Sequence, residues 1–178
     1  PWSLILSILM FSGACVLGFL FLKFTNLDKI IKKISYLQFQ LPTFGFLILL
    51  IIIYPLILFN LLNADAIKFL GILLILLNLY CFKFYKYFPK SLGKLKKNIS
   101  FDFYLIFFLI FGYFLISLGP ITSADSLDYH TSTAIHILNY GKFPDQYYWF
   151  HNRSSGSGEI LISLGLSLGA EQFGSLVQ

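Results

Sequence analysis

Residues 42–62 read PTFGFLILLIIIYPLILFNLL, and this stretch decides the class of the chain. It holds no Asp, Glu, Lys, Arg or His. A helix rises about 1.5 Å per residue, so a run of this length covers the ~30 Å hydrocarbon core of a bilayer. Strand-type alternation of apolar and polar residues is absent, which argues against a β-barrel. Pro55 lies inside the run and is a candidate kink. Such prolines are tolerated where neighbouring helices and waters satisfy the freed carbonyl.

Three further runs have the same character. Residues 2–22 carry no charge. Residues 66–85 have an uncharged middle, 69–82, flanked by Lys68 and Lys83, whose long stems can reach the headgroups. Residues 103–118 are again uncharged. The composition agrees: 57% of residues are hydrophobic and 12% charged, and mean hydropathy is +0.78. A water-soluble domain of this length would expose too much apolar surface. The expected fold is all-α: a polytopic transmembrane helix bundle with four complete spans, the start of a fifth, and an interfacial helix in the outer loop. The expected division is spans within 1–118, an outer loop over 119–170, and a truncated fifth span from 171 to 178. The chain opens at Pro1 rather than Met and stops at Gln178 within a helical pattern, which reads as a fragment.

The loops set the orientation. Lys23, Lys29, Lys32 and Lys33 fall between the first two runs. Lys83, Lys86, Lys90, Lys94, Lys96 and Lys97 fall between the third and fourth. Asn63-Ala64-Asp65, between the second and third, has no basic residue. Ten of thirteen basic residues thus mark one side, which the positive-inside rule makes cytoplasmic. The segment after Leu118 then lies outside. The net charge of +5 has a topological use, and the basic loops carry no recognised nucleic-acid-binding motif. Membrane lipid is the expected partner, and nucleic acid is not. Cys15 and Cys81 lack metal-ligand spacing and read as small core residues. Residues 2–22 are too long for a cleaved signal sequence, with no basic residue before them.

From Gly119 onward the chemistry changes. All three histidines (His130, His136 and His151) lie here, with five of the eight acids. Gly119-Pro120 breaks the fourth helix, and Thr122 or Ser123 can cap a new one. That helix is expected to run to about Tyr140 and lie along the membrane surface, with Gly141 just past its end. Asp125, Asp128 and Tyr129 stand at i, i+3 and i+4 and share a face. His130 is turned about 100° from Tyr129. Ala134, Ile135 and Leu138 supply an apolar side. Asp125 and Asp128 equally suit the first turn of a helix as partners of its dipole.

Beyond Asp145, the aromatic group Tyr147, Tyr148, Trp149 and Phe150 suits an interfacial belt or a stacking wall. Arg153 is the only arginine, so its bidentate fork suits either a phosphate ligand or a lipid headgroup. Ser154-Ser155-Gly156-Ser157-Gly158 resembles a phosphate cradle only weakly, because no Gly-Lys-Ser/Thr follows. Glu159 opens a further helix expected to reach Gly169, with Gly165 and Gly169 as a small-xxx-small packing pair.

The order Asp125, Asp128, Tyr129-His130, His136, Gly141-x-x-Pro144, Arg153, Glu159 resembles the first outer loop of GT-C superfamily membrane glycosyltransferases. The likeness is to a bacterial branch with an Asp-x-x-x-Tyr-His motif, the mannosyltransferase and aminoarabinose-transferase type that uses dolichyl- or polyprenyl-phosphate sugars. It covers roughly residues 119–178. In the family the acidic loop follows the first membrane helix; here it follows the fourth apolar run. The resemblance implies transfer of a sugar from a polyprenyl-phosphate donor to an acceptor at the outer face of the bacterial inner membrane. It aligns Asp125 with the family's catalytic acid.

An inverting transfer needs a base for the acceptor hydroxyl, and a carboxylate serves. The transition state is oxocarbenium-like. The departing lipid phosphate needs Arg, Lys, His or a divalent metal. The roles that follow are Asp125 as base, Arg153 as phosphate contact, and Tyr129, His130, Glu159 and Asp128 around the substrate. A metal, if used, would draw on Asp125, His130 and Glu159. Two other classes compete: a transporter, and another envelope polysaccharide polymerase or ligase. Transport is the weaker reading, because the apolar runs carry almost no ionisable group.

Overall fold

The computed structural model describes residues 2–27, 40–81, 101–117, 119, 130–144 and 156–177. Every regular element among them is helical: α1 (Trp2–Phe24), α2 (Leu41–Leu58), α3 (Ala64–Cys81), α4 (Phe101–Ser117), α5 (Ser132–Tyr140), α6 (Ser157–Leu166) and α7 (Glu171–Val177). Two of these, α1 and α2, are long and apolar enough to cross a membrane.

The apolar run from 42 to 62 does not stay helical to its end. α2 stops at Leu58, four residues before the run is exhausted. Asn60 takes the left-handed conformation at φ 54°, and the Leu61 N–H donates back to the Leu56 carbonyl at 2.8 Å. This is the bonding of a helix stop in which Asn does what Gly more often does. Hydropathy cannot see it, since Leu61 and Leu62 are as apolar as Leu58. The helix continues through Pro55. α3 starts at once, with the Asn63 side-chain oxygen accepting the Ala66 N–H at 2.8 Å as a cap.

α1 packs on both α2 and α3 at backbone-to-backbone range. A Cβ built on Gly45 would lie 2.0 Å from the Ala14 carbonyl oxygen, and one on Gly13 would lie 2.0 Å from that of Leu74. Small residues at such crossings let helix axes close up, the usual device where apolar surfaces face apolar solvent. A polar tie crosses the same interface. Asn78 donates from Nδ2 to the Leu9 carbonyl at 2.7 Å, and its Oδ1 accepts from the Ser12 hydroxyl.

The segment after α4 does not sit apart from this bundle. Ile137 of α5, Ile160 and Leu164 of α6, and Phe173 of α7 are fully buried in one core with Met10, Ile53 and Leu74. α5 turns Thr133, Ala134 and Ile137 inward, while Ile135 is 45% exposed. The apolar side is therefore rotated from the expected set, and Ile135 does not belong to it. α5 ends as expected: Gly141 sits at φ 69° and donates its N–H to Ile137 at 2.8 Å. Glycine is doubly required there, because a Cβ would lie 1.8 Å from the Leu62 carbonyl oxygen in the α2–α3 link.

α6 ends at Leu166 rather than at Gly169. Ala170 donates its N–H to Gly165 at 2.9 Å, and Gly169 takes φ 70° in the turn, so α6 and α7 form a tight hairpin. Gly165 and Gly169 are thus no packing pair on one helix. A Cβ on Gly165 would meet Ala170 and Phe173 across the hairpin, whereas one on Gly169 would meet nothing within 4 Å. The tip packs Leu168 against Gly71 of α3, roughly 10 Å along that helix from Ala64 at ~1.5 Å per residue. Phe173 reaches Phe46 of α2, ring centroids 6.0 Å apart.

Candidate functional site

The site grows from the first turn of α6. Glu159 stands at its third position, so its carboxylate can turn back over the open N-terminus. It does: the Gly156 N–H donates to Oε2 at 2.6 Å. The other oxygen, Oε1, lies 2.6 Å from Nδ1 of His130. Glu159 is 3% exposed, whereas the His130 side chain keeps 30% of its surface. The carboxylate is therefore buried with both oxygens engaged, one by backbone and one by imidazole. That is the arrangement in which a buried charge is tolerated.

His130 is delivered by the wider turn that leads into α5. α5 in turn packs on α6, with Ala134 and Ile137 fully buried, so the two helix starts are held side by side. The pair thus spans 29 residues of sequence. An ionised carboxylate only accepts, so the bridging proton is carried by Nδ1 of the ring. Carboxylate-held histidines of this kind have fixed ring angle and tautomer. His136, on the next turns of α5, packs its ring on Tyr140 with centroids 4.6 Å apart.

Of the residues expected around a site, His130 and Glu159 are brought together. Asp125, Asp128, Tyr129 and Arg153 lie outside the described residues. The phosphate-cradle idea for the Gly156 loop meets a specific obstacle, because the Glu159 carboxylate already takes the Gly156 N–H. As for a metal, no group of three or more His, Cys, Asp or Glu gathers among the described residues. His130 and Glu159 spend their facing atoms on each other. Sequence reading missed the Gly156–Glu159 bond, although the spacing offered the signal: a capping residue followed three positions later by Glu. Glycine in place of Ser or Thr concealed it.

Comparison with known proteins adds one result. No curated protein and no solved structure matches the chain. The family model described as the DUF1420 N-terminal domain matches residues 78–178, a span that holds every candidate site residue. That match takes in more than half of the chain, from the end of α3 through α7, and the protein belongs to the DUF1420 N-terminal domain family.

Proposed function

We propose that this chain is a membrane glycosyltransferase component, moving a sugar from a polyprenyl-phosphate donor to an acceptor at the outer membrane face. The observation that carries the reading is the His130–Glu159 pair. Two polar residues singled out by the GT-C-like order meet at 2.6 Å, beside the Asp125–Tyr129 stretch in sequence. In this reading Asp125 takes the proton of the acceptor hydroxyl as its oxygen bonds to the anomeric carbon. The bond from that carbon to the lipid phosphate breaks, and the phosphate oxygen keeps the electron pair beside Arg153.

The membrane setting is part of the proposal. α3 and α4 serve as the third and fourth spans, the lysine-rich loops face the cytoplasm, and α7 leads into a fifth span. Supporting it, Phe108, Tyr113 and Ile116 of α4 are 73%, 74% and 75% exposed. Water is a poor solvent for such a surface, and acyl chains are a good one.

The test is Asp125→Asn in protein that is still expressed and inserted. Sugar transfer from a polyprenyl-phosphate donor is expected to fall by about 100-fold or more, the usual scale for a lost general base. Transfer at the wild-type rate would remove Asp125 from its role.

A further inference from the structure

Every residue from Glu159 to Gly165 is buried, so α6 keeps no face for water or headgroups. It is enclosed by α2, α3, α5 and α7. Contacts along these helices give its height in the bundle and its direction.

α1 and α2 run antiparallel: a Cβ on Gly18 would meet Leu41, and one on Gly45 would meet Ala14. The first turn of α1 is therefore level with the end of α2 at Leu58. α7 starts at this lysine-free, outer end, where the Glu171 N–H meets Ser3 Oγ. It then runs inward. The Phe173 ring lies 6.0 Å from that of Phe46, which pairs with Phe11 at 5.8 Å. Phe46 stands about 18 Å down α2 from Leu58. α6 lies beside α7 in the opposite sense: a Cβ on Gly165 would meet Ala170, and one on Gly174 would meet Ile162. The start of α6 is thus the inward end of the hairpin, with Glu159 about 9 Å inward of Gly165. α5 gives the same direction independently. At its end Gly141 abuts the Leu62 carbonyl in the α2–α3 link, and just before its start His130 pairs with Glu159. Even the turn of the hairpin lies inward of the charged residues of α3, since Leu168 packs at Gly71, one turn past Lys68.

We propose that α5 and α6 are half-helices whose starts face the membrane interior, which sets the His130–Glu159 pair within the outer half of the bilayer, about 10 Å below the outer ends of α1 and α2. Ionisable side chains are costly at such depth, and those kept there mark the path of a substrate. Helices that break off inside a bundle are a recurring frame for them. The pair thus serves a substrate group that enters the bilayer, not one held in the water above it. The inference rests on the membrane part of the reading above and not on sugar transfer.

The test uses nitroxide labels on cysteine variants of the full chain in lipid nanodiscs, with Cys15 and Cys81 replaced by alanine. The distance sites are Thr25 past the inner end of α1, Asn60 in the α2–α3 link and Ser157 at the start of α6, all exposed. By electron–electron resonance, Thr25 is expected to be about 10 Å closer to Ser157 than to Asn60. Should a label at Ser157 prevent folding, one at Val177, the inward end of α7, takes its place. Labels at Ile8 and Phe21, on the exposed side of α1, report the solvent at their heights by collision with oxygen or a nickel chelate. Both are expected to favour oxygen, which puts acyl chains at the height of the pair. A Thr25 distance to Ser157 as long as that to Asn60 overturns the inference and leaves the membrane reading standing. Nickel access at Ile8 alone also overturns it, because that end of the bundle then projects from the bilayer. Nickel access at both Ile8 and Phe21 overturns the membrane reading as well.

Discussion

The Glu171 N–H donates to Ser3 Oγ at 3.0 Å, across 168 residues of sequence, so the first turn of α1 caps the start of α7. The same hydroxyl donates to the Gln172 side-chain oxygen. Ser3 thereby satisfies a backbone donor that α7 cannot satisfy itself, and it pins the α6–α7 hairpin to the first helix.

Ser3→Ala should loosen α7 without unfolding the bundle. A lost N-cap costs about 1 kcal/mol, which is roughly fivefold in a local opening equilibrium. Hydrogen exchange in detergent is expected to speed up at Phe173–Val177 and to stay unchanged in the middle of α2. Equal acceleration in α2 would mean that Ser3 supports the whole bundle rather than one hairpin.

Gly45→Ala should be strongly destabilising, because the new Cβ would sit 2.0 Å from the Ala14 carbonyl oxygen. Overpacking of this kind costs about 1–3 kcal/mol, and backbone on both sides leaves little room to yield. Gly112→Ala is the control: nothing lies within 4 Å of its Cβ position in α4. Alanine there should stabilise by up to ~1 kcal/mol through helix propensity. Thermal unfolding of the two variants in one detergent should therefore move the midpoint in opposite directions.

Asn78→Leu removes the donor to the Leu9 carbonyl and the acceptor for Ser12. Polar ties between apolar helices average about 0.6 kcal/mol and reach ~1.7. A double-mutant cycle with Ser12→Ala should give a favourable coupling in that range. Zero coupling would show that the Ser12–Asn78 bond adds nothing to the contact between α1 and α3.

Glu159→Ala takes away a helix cap and the partner of His130 together. The expected cost is about 1–3 kcal/mol, because a backbone donor and a ring N–H lose their shared acceptor. In His130→Ala the carboxylate keeps its Gly156 bond, so this variant should cost less than Glu159→Ala. Denaturant unfolding of both variants and the double mutant measures the order. A larger loss from His130→Ala would contradict the cap as the main structural role of Glu159.

Cysteine placed at Ser91 is expected to resist a membrane-impermeant maleimide in intact cells, and cysteine at Ser155 to react. The expectation follows from the six lysines at 83–97 and the single Lys142 and Arg153 on the other side. Reaction at Ser91 from outside would invert the orientation and move the candidate site to the cytoplasmic face.

Much of the architecture is legible along the chain because the signals are local. The four apolar runs correspond to α1–α4, and Gly141 ends α5 where a left-handed residue was expected. Boundaries set by backbone geometry were not legible. The run 42–62 stays apolar past Leu58, and only the left-handed turn at Asn60 shows where the helix stops. Ile135 and Ile137 are equally apolar, yet one is 45% exposed and the other fully buried. Which of them faces the core depends on where α3 and α6 lie.

The sequence by itself determined the helical class, the number and order of apolar runs, the asymmetry of lysines, and the short set of polar residues worth attention. These follow from composition and periodicity, which short-range sterics and solvation read directly. Only the tertiary structure decided that the segment after α4 enters the bundle core, that Ser3 caps α7, and that Glu159 is divided between Gly156 and His130. The Ser3–Glu171 and His130–Glu159 pairings join residues far apart in the chain. They exist because a buried donor or acceptor must find its partner wherever packing places one.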